Sequence, residues 1–203
     1  MAEKGLLIVI SGPAGSGKGK VTEILTEKYG FVKSVSITTR APRPGEVAGR
    51  DYNYISHEEF KERIKKRDTM EHAKYCGNYY GTPKSEAENV IESGKHLILE
   101  IEVQGAMKIK KKRKDAILIM LLPPSHSKQE ERLRGRGTET EDKILARLAQ
   151  AKKEVAQANK YHYIVYNNDN EIEKCTEDIL SIVRAEQLMS KRNPNAATKF
   201  LEN

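Results

Sequence analysis

The segment from Gly12 to Lys18 constrains the fold of this chain more than any other feature of its 203 residues. It has the spacing G-x-x-x-x-G-K, and it lies between an apolar run at residues 6–10 and a helical pattern that begins near Val21. A loop between a strand and a helix with this spacing turns its backbone N–H groups toward phosphate oxygens, and the helix N-terminus adds positive potential. The sequence therefore predicts an α/β fold with a phosphate-binding loop, in which Lys18 reaches the β and γ oxygens of a nucleoside triphosphate.

The two residues after Lys18 affect whether the loop can ligate a metal ion directly and how it contacts phosphate. Gly19 stands where a Ser or Thr hydroxyl would usually meet Mg²⁺, so direct ligation of the metal by the loop is not expected. The Lys20 ammonium either meets an anionic oxygen or points to solvent. We expect ATP to be bound by the loop and these two residues, which are Gly12, Pro13, Ala14, Gly15, Ser16, Gly17, Lys18, Gly19 and Lys20.

Apolar runs and helical patterns alternate along the chain. Runs typical of buried strands occur at residues 6–10, 97–103, 116–122 and 163–166, with a weaker one at 31–37. One helical stripe between them consists of Ile144, Leu148, Ala151 and Val155. Strands that alternate with helices predict a parallel sheet that is covered by helices on both faces. The length suits a single compact unit.

Charge alone does not choose the ligand. The formal net charge of +7 favours polyanions, and nucleotides, nucleic acids and anionic lipids all fit. Residues 108–114 hold six cations, but they lack the interleaved aromatics of a stacking platform, and a solvated helix end is the competing interpretation.

With no signal peptide or spanning segment in the pattern, we expect a cytoplasmic protein that binds neither nucleic acid nor membrane. Cys76 and Cys175 lack zinc-type spacing and are interpreted as free thiols.

Two long segments interrupt the alternation of strands and helices. Residues 38–81 are rich in Arg, Gly, Pro and Tyr, and residues 125–142 are dominated by Arg, Gly, Glu and Thr. Both are too long to be simple turns. Segments of this kind in a compact fold commonly cover a substrate, so we expect that role here.

The first of these segments holds side chains suited to a second ligand. Arg40 and Arg43 lie in a stretch stiffened by prolines, and planar guanidinium groups suit bidentate capture of a phosphate, although a solvated basic turn fits them equally well. Glu71 is followed by two phenols and a hydroxyl. A carboxylate accepts from the adjacent N–H donors of guanine and repels the acceptor edge of adenine, whereas Tyr79 and Tyr80 would also suit a core.

Glu100 and Glu102 alternate with aliphatic residues in the apolar run at 97–103. At period two, both carboxylates would project to one face near the end of a strand. Carboxylates in an apolar strand are costly unless a polar or cationic group faces them, and ligands of open parallel sheets collect beyond the carboxyl ends of strands. This favours a binding site, and an edge strand with one wet face is the alternative.

Taken together, the motifs resemble the guanylate kinase family, specifically its bacterial type. The matching strings are G-P-A-G-S-G-K at 12–18, S-x-T-T-R-x-P-R at 36–43, G-N-Y-Y-G-T at 77–82, E-I-E-x-Q-G at 100–105 and G-R-G-T-E-T at 135–140. The resemblance covers almost the whole chain. It implies a P-loop NTPase core with a five-stranded parallel sheet flanked by helices, plus a GMP-binding insert and a lid. The corresponding ranges in the single domain 1–203 are core at about 1–35, 83–124 and 156–203, insert at about 36–82 and lid at about 125–155.

The resemblance also implies an activity and a site. The implied activity is transfer of the γ-phosphoryl group of ATP to GMP, and Mg²⁺ is expected to accompany ATP. dGMP is a further expected substrate. The protein is expected to be a monomer or a homo-oligomer. The residues implied for the GMP phosphate are Arg40, Arg43, Tyr52 and Tyr80, and those for guanine are Ser36, Glu71, Thr82 and Glu100. Those implied for the ATP phosphates and the transfer step are Lys18, Arg132, Arg136 and Arg147, joined by Arg40 and Arg43 on the acceptor side. Asn167 would lie beside adenine, and Glu102 would orient a magnesium-bound water.

Three residues depart from the family pattern. Lys20 replaces a threonine of close relatives, Ala14 replaces a frequent serine, and Asn168 replaces the usual aspartate. All three concern the ATP side. The alternative to an enzyme is a catalytically silent protein-interaction domain of the same family, but those domains typically have degraded phosphate loops, and here Lys18 is retained.

Overall fold

The structure is a computed structural model that describes residues 4–43, 45–75, 77–135, 137 and 140–202. Its strands are β1 Leu7–Ser11, β2 Val32–Lys33, β3 Ile37–Thr38, β4 Asn53–Tyr54, β5 Thr69–Tyr75, β6 Asn78–Pro83, β7 Leu97–Glu100, β8 Ile117–Leu122 and β9 Tyr163–Tyr166. Its α-helices are α1 Lys18–Tyr29, α2 His57–Lys65, α3 Lys84–Glu92, α4 Val103–Lys112, α5 His126–Gly135, α6 Glu141–Val155, α7 Ile172–Leu188 and α8 Ala196–Glu202, with 3₁₀ turns at Ala158–Lys160 and Ser190–Arg192.

A five-stranded parallel sheet forms the centre of the fold, with the order β2-β7-β1-β8-β9. Leu7 and Val9 of β1 join a buried cluster with residues of α3 and α4, while Ile8 and Ile10 join a second cluster with residues of α1 and α7. Burial of each such side chain contributes about 1.5–3 kcal/mol, so the two faces of β1 hold both helical layers against the sheet. The predicted sheet covered on both faces is confirmed, and the phosphate loop begins at its middle strand.

The predicted strand that carries Glu100 and Glu102 is shorter than expected. β7 ends at Glu100, and Glu102 has extended backbone dihedrals immediately before α4 begins. Val103, Ala106 and Ile109 of α4 are all buried, at the spacing of a helix rather than of a strand. A helix buries that apolar stripe against the sheet, which an extended chain with alternating side chains would not do. The prediction that both carboxylates lie on one strand is therefore wrong.

The weaker strand predicted at residues 31–37 is also wrong as a single element. Its first part, β2, is the edge of the central sheet, and its last part, β3, belongs to the smaller sheet. Just after β2, the Ser34 N–H donates to the Ile98 carbonyl of the central sheet at 2.9 Å. The chain thus leaves one sheet and enters the other within a few residues, which brings the ends of both sheets together.

The smaller sheet has the order β4-β3-β6-β5, with β3 parallel to β4 and antiparallel to β6, and with β5 antiparallel to β6. Its register sets Glu71 opposite Thr82 and Thr38 opposite Tyr80. On this sheet, Phe60 of α2 stacks against Tyr79 with ring centroids 5.3 Å apart. Much of the segment expected to cover a substrate is therefore a folded sheet with its own packed helix.

The helices α5 and α6 pack against the phosphate loop. Leu133, Ile144 and Leu148 form a small buried cluster, and Ala14 of the loop packs against it. Val155 was expected in the same apolar stripe, but its side chain is exposed because α6 ends there. Both helices are therefore joined to the loop by apolar contacts, and α5 adds the polar contacts described below.

None of the helices in the described ranges combines the length and the apolar composition that a bilayer-spanning segment needs.

Cys175 is a buried free thiol, and burial raises its pKa to about 11, which keeps it protonated and unreactive near neutral pH. Cys76 lies outside the described residues.

Candidate active site

A cavity of about 290 Å³ opens where the central sheet, the smaller sheet and α6 meet. It lies beyond the carboxyl ends of β1 and β7, where ligands of open parallel sheets are expected. The residues predicted from sequence that line it are Lys18, Ser36, Arg40, Arg43, Tyr52, Glu71, Tyr80, Glu100, Glu102 and Arg147. The structure therefore brings the phosphate-loop lysine and both groups of acceptor-side residues to a single cavity, except Thr82, which is fully buried and does not line it.

The phosphate loop is closely surrounded by backbone and side-chain atoms. Gly17 has a φ of +89°, and a Cβ atom built there would lie 2.1 Å from Asn167 Nδ2, so only glycine fits. Asn167 donates from the same nitrogen to the Ser16 carbonyl at 2.9 Å. The Lys18 ammonium donates to the Gly12 carbonyl at 2.6 Å, which holds it across the mouth of the loop. Asn167 is thus in direct contact with the loop.

Side chains of α5 also hold the loop. Gln129 donates to the Ala14 carbonyl at 2.8 Å. Arg132 donates to the Gly15 carbonyl at 3.3 Å and forms an ion pair with Asp169 at 2.6 Å. Gln129 and Asp169 were not predicted, because neither lies in a motif and their partners are distant in sequence. Together these contacts link α5, the loop and the segment after β9.

The two residues after Lys18 lie in different environments. Gly19 lies next to Glu100, since a Cβ built there would be 3.7 Å from Glu100 Oε1. The Lys20 side chain is exposed and forms an ion pair with Glu23 at 2.7 Å on the surface of α1. Of the two orientations considered for Lys20 from sequence, the structure therefore has the one that faces solvent.

Glu71 is a buried carboxylate on the wall of the cavity, with 3% of its surface exposed. Thr82, its partner in the sheet register, donates a hydroxyl hydrogen bond to Glu71 Oε1 at 3.0 Å. Burial raises the pKa of Glu71 above its ordinary value, although the Thr82 hydrogen bond and the charge of Lys108 oppose this. A buried carboxylate on the wall of a cavity suits a ligand that presents N–H donors.

Glu100 ends β7 beside Glu71 in the same cavity and has a cationic neighbour that sequence reasoning missed. The Lys33 ammonium lies 2.8 Å from Glu100 Oε2, and Lys33 also lines the cavity. This cation meets the requirement that something polar or charged face the carboxylate. Lys33 comes from the adjacent edge strand β2, so the pairing depends on which strands are neighbours in the sheet.

Arginine and tyrosine side chains form the far corner of the cavity. The Arg40 guanidinium lies over the Tyr52 ring, 5.5 Å from its centroid, and Tyr52 meets Tyr80 edge to face at 6.0 Å. Burial raises the pKa of Tyr52 to about 12, so its hydroxyl remains a donor at neutral pH. Arg43 lines the cavity beside them. Two guanidinium groups and two phenols in one corner provide the donors that a phosphate accepts.

The helix α6 forms another part of the cavity wall. Arg147 lines the cavity, and so does Glu154, which is buried and accepts a hydrogen bond from Gln150 at 3.1 Å. Burial raises the pKa of Glu154, with the neighbouring Glu102 acting in the same direction. Arg136, predicted to contact ATP, lies outside the described residues. Sequence reasoning did not single out Glu154, which follows two adjacent lysines near the end of α6.

Comparison with known proteins finds relatives over most of the chain. The sequence model of the family described as guanylate kinase matches residues 4–186. The chain is 48% identical over 185 residues to a guanylate kinase of Clostridium tetani, covering 91% of this chain and 88% of that protein. It is 48% identical over 191 residues to a guanylate kinase of Halalkalibacterium halodurans, covering 94% and 93%. A crystal structure of guanylate kinase from Anaplasma phagocytophilum matches with a TM-score of 0.75 at 32% identity, covering 94% of this chain and 90% of that one.

Proposed function

The chain belongs to the guanylate kinase family and transfers the γ-phosphoryl group of ATP to GMP, and we propose that both substrates meet in the cavity described above. The observation that carries this proposal is that Lys18 of the phosphate loop and Glu71 of the smaller sheet line one cavity. An oxygen of the GMP phosphate forms the new bond to the γ-phosphorus as the bond to the bridging oxygen breaks, and ADP leaves. Such a reaction depends chiefly on alignment of the two substrates and on compensation of charge.

In the GMP-binding part of the cavity, carboxylates recognise the guanine base and cationic side chains bind the phosphate. Glu71 accepts hydrogen bonds from the guanine edge, with Ser36, Thr82 and Glu100 as its neighbours in this task. Thr82 supports the assignment because its hydroxyl orients one oxygen of Glu71. The phosphate is bound in the corner that contains Arg40, Arg43, Tyr52 and Tyr80.

On the ATP side, the phosphate loop from Gly12 to Lys20 binds the triphosphate through main-chain N–H groups and the Lys18 ammonium. Arg147 and the lid arginines Arg132 and Arg136 compensate charge on the moving group when the lid, about residues 125–155, closes over the site. Asn167 lies beside the adenine base of bound ATP, since its amide already donates to the Ser16 carbonyl of the phosphate loop. The acceptor subdomain is the segment of about residues 36–82, and the remainder, about 1–35, 83–124 and 156–203, is the core.

The residues present fit a magnesium ion that is bound mainly by ATP and water. No group of three or more His, Cys, Asp or Glu side chains within the described ranges is arranged to hold a metal ion, and Gly19 has no hydroxyl. Mg²⁺ commonly retains several waters and takes substrate phosphates as ligands. Glu102, which lines the cavity beside Lys18, is suited to accept a hydrogen bond from a magnesium-bound water. When bound, the metal neutralises part of the phosphate charge.

We extend the proposal to a second substrate, to the location of the enzyme and to its oligomeric state. The contacts assigned to GMP use its base and its phosphate, so dGMP, which lacks only the 2′-hydroxyl, is accepted as well. We place the protein in the cytoplasm with its nucleotide substrates, as a monomer or a homo-oligomer.

A role in nucleic-acid binding is disfavoured by how the basic run at 108–114 is used. Lys108 and Lys112 of α4 donate to the main-chain carbonyls of His72 and Met70 in the smaller sheet. Lys110 donates to the Lys160 carbonyl. These ammonium groups act within the protein and also favour the C-terminus of α4 through its dipole.

The test of the function is a coupled assay of ADP formation by one preparation with GMP, AMP, CMP or UMP as acceptor. We expect GMP to support turnover and the other three to give rates lower by about 10² or more, because a carboxylate aimed at the acceptor edge of another base leaves buried polar groups unpaired. No turnover at all would favour the silent interaction domain over the enzyme, and ADP formation that is independent of GMP would indicate hydrolysis of ATP instead of transfer to GMP.

A further inference from the structure

Glu46 lies at the centre of the turn that carries both proposed phosphate-binding arginines. Both of its carboxylate oxygens accept from Arg40, at 2.8 and 2.9 Å. Its Oε2 also accepts from the Arg43 backbone N–H and from the Tyr54 hydroxyl, each at 2.8 Å. One carboxylate thus connects the side chain of the first arginine to the main chain of the second.

This carboxylate is largely shielded and is held in its charged form. The side chain of Glu46 is 18% exposed and that of Arg40 15% exposed. The hydrogen bond from Arg40 is the main cause that lowers the pKa of Glu46 to about 2, with the Arg43 N–H and the Tyr54 hydroxyl acting in the same direction. Charge-assisted hydrogen bonds of this kind hold an arginine more firmly than neutral ones do.

The contacts of Arg40 leave hydrogen-bond donors for a ligand. Its NH2 group contacts Glu46, and its NH1 group donates to the Ala41 carbonyl at 2.7 Å. Tyr80 is a further hydrogen-bond partner of the Arg40 side chain. A guanidinium has five N–H donors, so these contacts together still do not exhaust its capacity. The Tyr52 and Tyr54 rings lie 5.5 and 6.0 Å from the guanidinium carbon, which limits the directions in which the arginine can move.

We propose that Glu46 is the positioning residue for GMP-phosphate binding: it fixes the direction of the Arg40 guanidinium and the conformation of the turn that carries Arg43. The inference rests on the proposed function, which assigns both arginines to the GMP phosphate. Glu46 itself is an anion and does not bind the phosphate. Its effect is to hold two cations in place before the ligand arrives, which reduces the ordering cost of binding.

The experiment compares GMP with guanosine, which has the same base and sugar but no phosphate. Calorimetry or competition binding is carried out on the wild type, Glu46→Gln and the matched control Glu62→Gln. Glu62 is an exposed glutamate of the same subdomain, paired with Lys66 at 2.8 Å. We expect Glu46→Gln to weaken GMP binding by about 10-fold or more while guanosine binding stays unchanged, and we expect Glu62→Gln to change neither.

Kinetics supply a second readout. The KM for GMP should rise by a similar factor in Glu46→Gln, while the KM for ATP stays the same. If this variant does not fold, Tyr54→Phe removes one of the contacts of Glu46 and should weaken GMP binding by a smaller factor in the same phosphate-selective way.

Two results would overturn the inference: unchanged GMP binding in a folded Glu46→Gln, or equal weakening of GMP and guanosine, which would indicate a purely structural role. Failure of the site assignment is distinguished by Arg40→Ala. If that variant also binds GMP normally, the phosphate does not occupy this corner, and the assignment of the arginines fails together with the inference.

Discussion

Replacement of Lys18 by methionine is expected to lower kcat by about 10²–10³-fold, or about 2.7–4 kcal/mol of transition-state stabilisation. Methionine retains a side chain of similar length and removes the charge that compensates the developing negative charge on the transferred group. In the folded protein the ammonium contacts the Gly12 and Pro13 carbonyls, so loss of these contacts should affect stability much less than turnover. Steady-state assays with GMP and thermal unfolding measure the two effects separately.

The matched control is Lys28→Met, which removes the same charge from the exposed last turn of α1. We expect it to leave kcat within about twofold of the wild type, since surface substitutions away from special features have small effects. Near-normal turnover in Lys18→Met would refute the assigned role of this lysine. A large loss of stability in the same variant would mean that its carbonyl contacts matter more for folding than for the reaction.

Replacement of Glu71 by glutamine is expected to lower kcat/KM for GMP by about 10²-fold or more. Removal of one partner from a buried charged hydrogen-bond pair costs about 2–5 kcal/mol, and the new amide would direct N–H donors at the N–H donors of guanine. The Thr82 hydroxyl, which donates to Glu71 Oε1 at 3.0 Å, can still donate to the amide oxygen, so the fold should survive. The measurement is kcat/KM for GMP and for AMP, with Glu62→Gln as a folded control.

Glu71 also sets an expected pH dependence. Because burial raises its pKa above the ordinary carboxyl value, the group becomes protonated, and GMP binding is lost, at a higher pH than an exposed glutamate would give. The wild-type KM for GMP should therefore rise as the pH falls toward and through that raised pKa, and this rise should be reduced in Glu71→Gln. An identical acid limb in both proteins would show that another group is responsible.

The position of the phosphate loop between a strand and a helix was predictable because its signal is local. Gly12 and Lys18 lie in one short motif, and the motif is flanked by a strand and a helix, as its geometry requires. The acids that line the cavity were predictable for a different reason, since Glu100 is a charged residue in an otherwise apolar run. In both cases, neighbouring residues in sequence determine the environment.

The residues that were missed depend on contacts between distant parts of the chain. Lys33 pairs with Glu100 because β2 and β7 are neighbours in the sheet, and Gln129 contacts Ala14 because α5 packs on the loop. In the sequence, Glu46 is one more charge in a polar turn, and its contacts with Arg40 are visible only in the structure. No periodic pattern encodes such pairings.

Element boundaries failed where two patterns compete. Glu102 continues the period-two alternation of β7, but the buried stripe that starts at Val103 has helical spacing, and burial of that stripe decides the boundary. Val155 fits the apolar stripe of α6 but occupies its last position, where the helix no longer faces the core. Residues at the ends of elements therefore carry the least certain sequence signal.

The central claim is that one cavity holds the GMP phosphate in line with the triphosphate on the loop. The most direct measurement is inhibition by a single molecule in which adenosine and guanosine are joined through a pentaphosphate bridge. We expect inhibition that is competitive against both ATP and GMP, with an affinity higher than that of either substrate, because one ligand fills both parts of the cavity. Inhibition that competes with only one substrate, or an affinity no higher than that of the separate nucleotides, would contradict it.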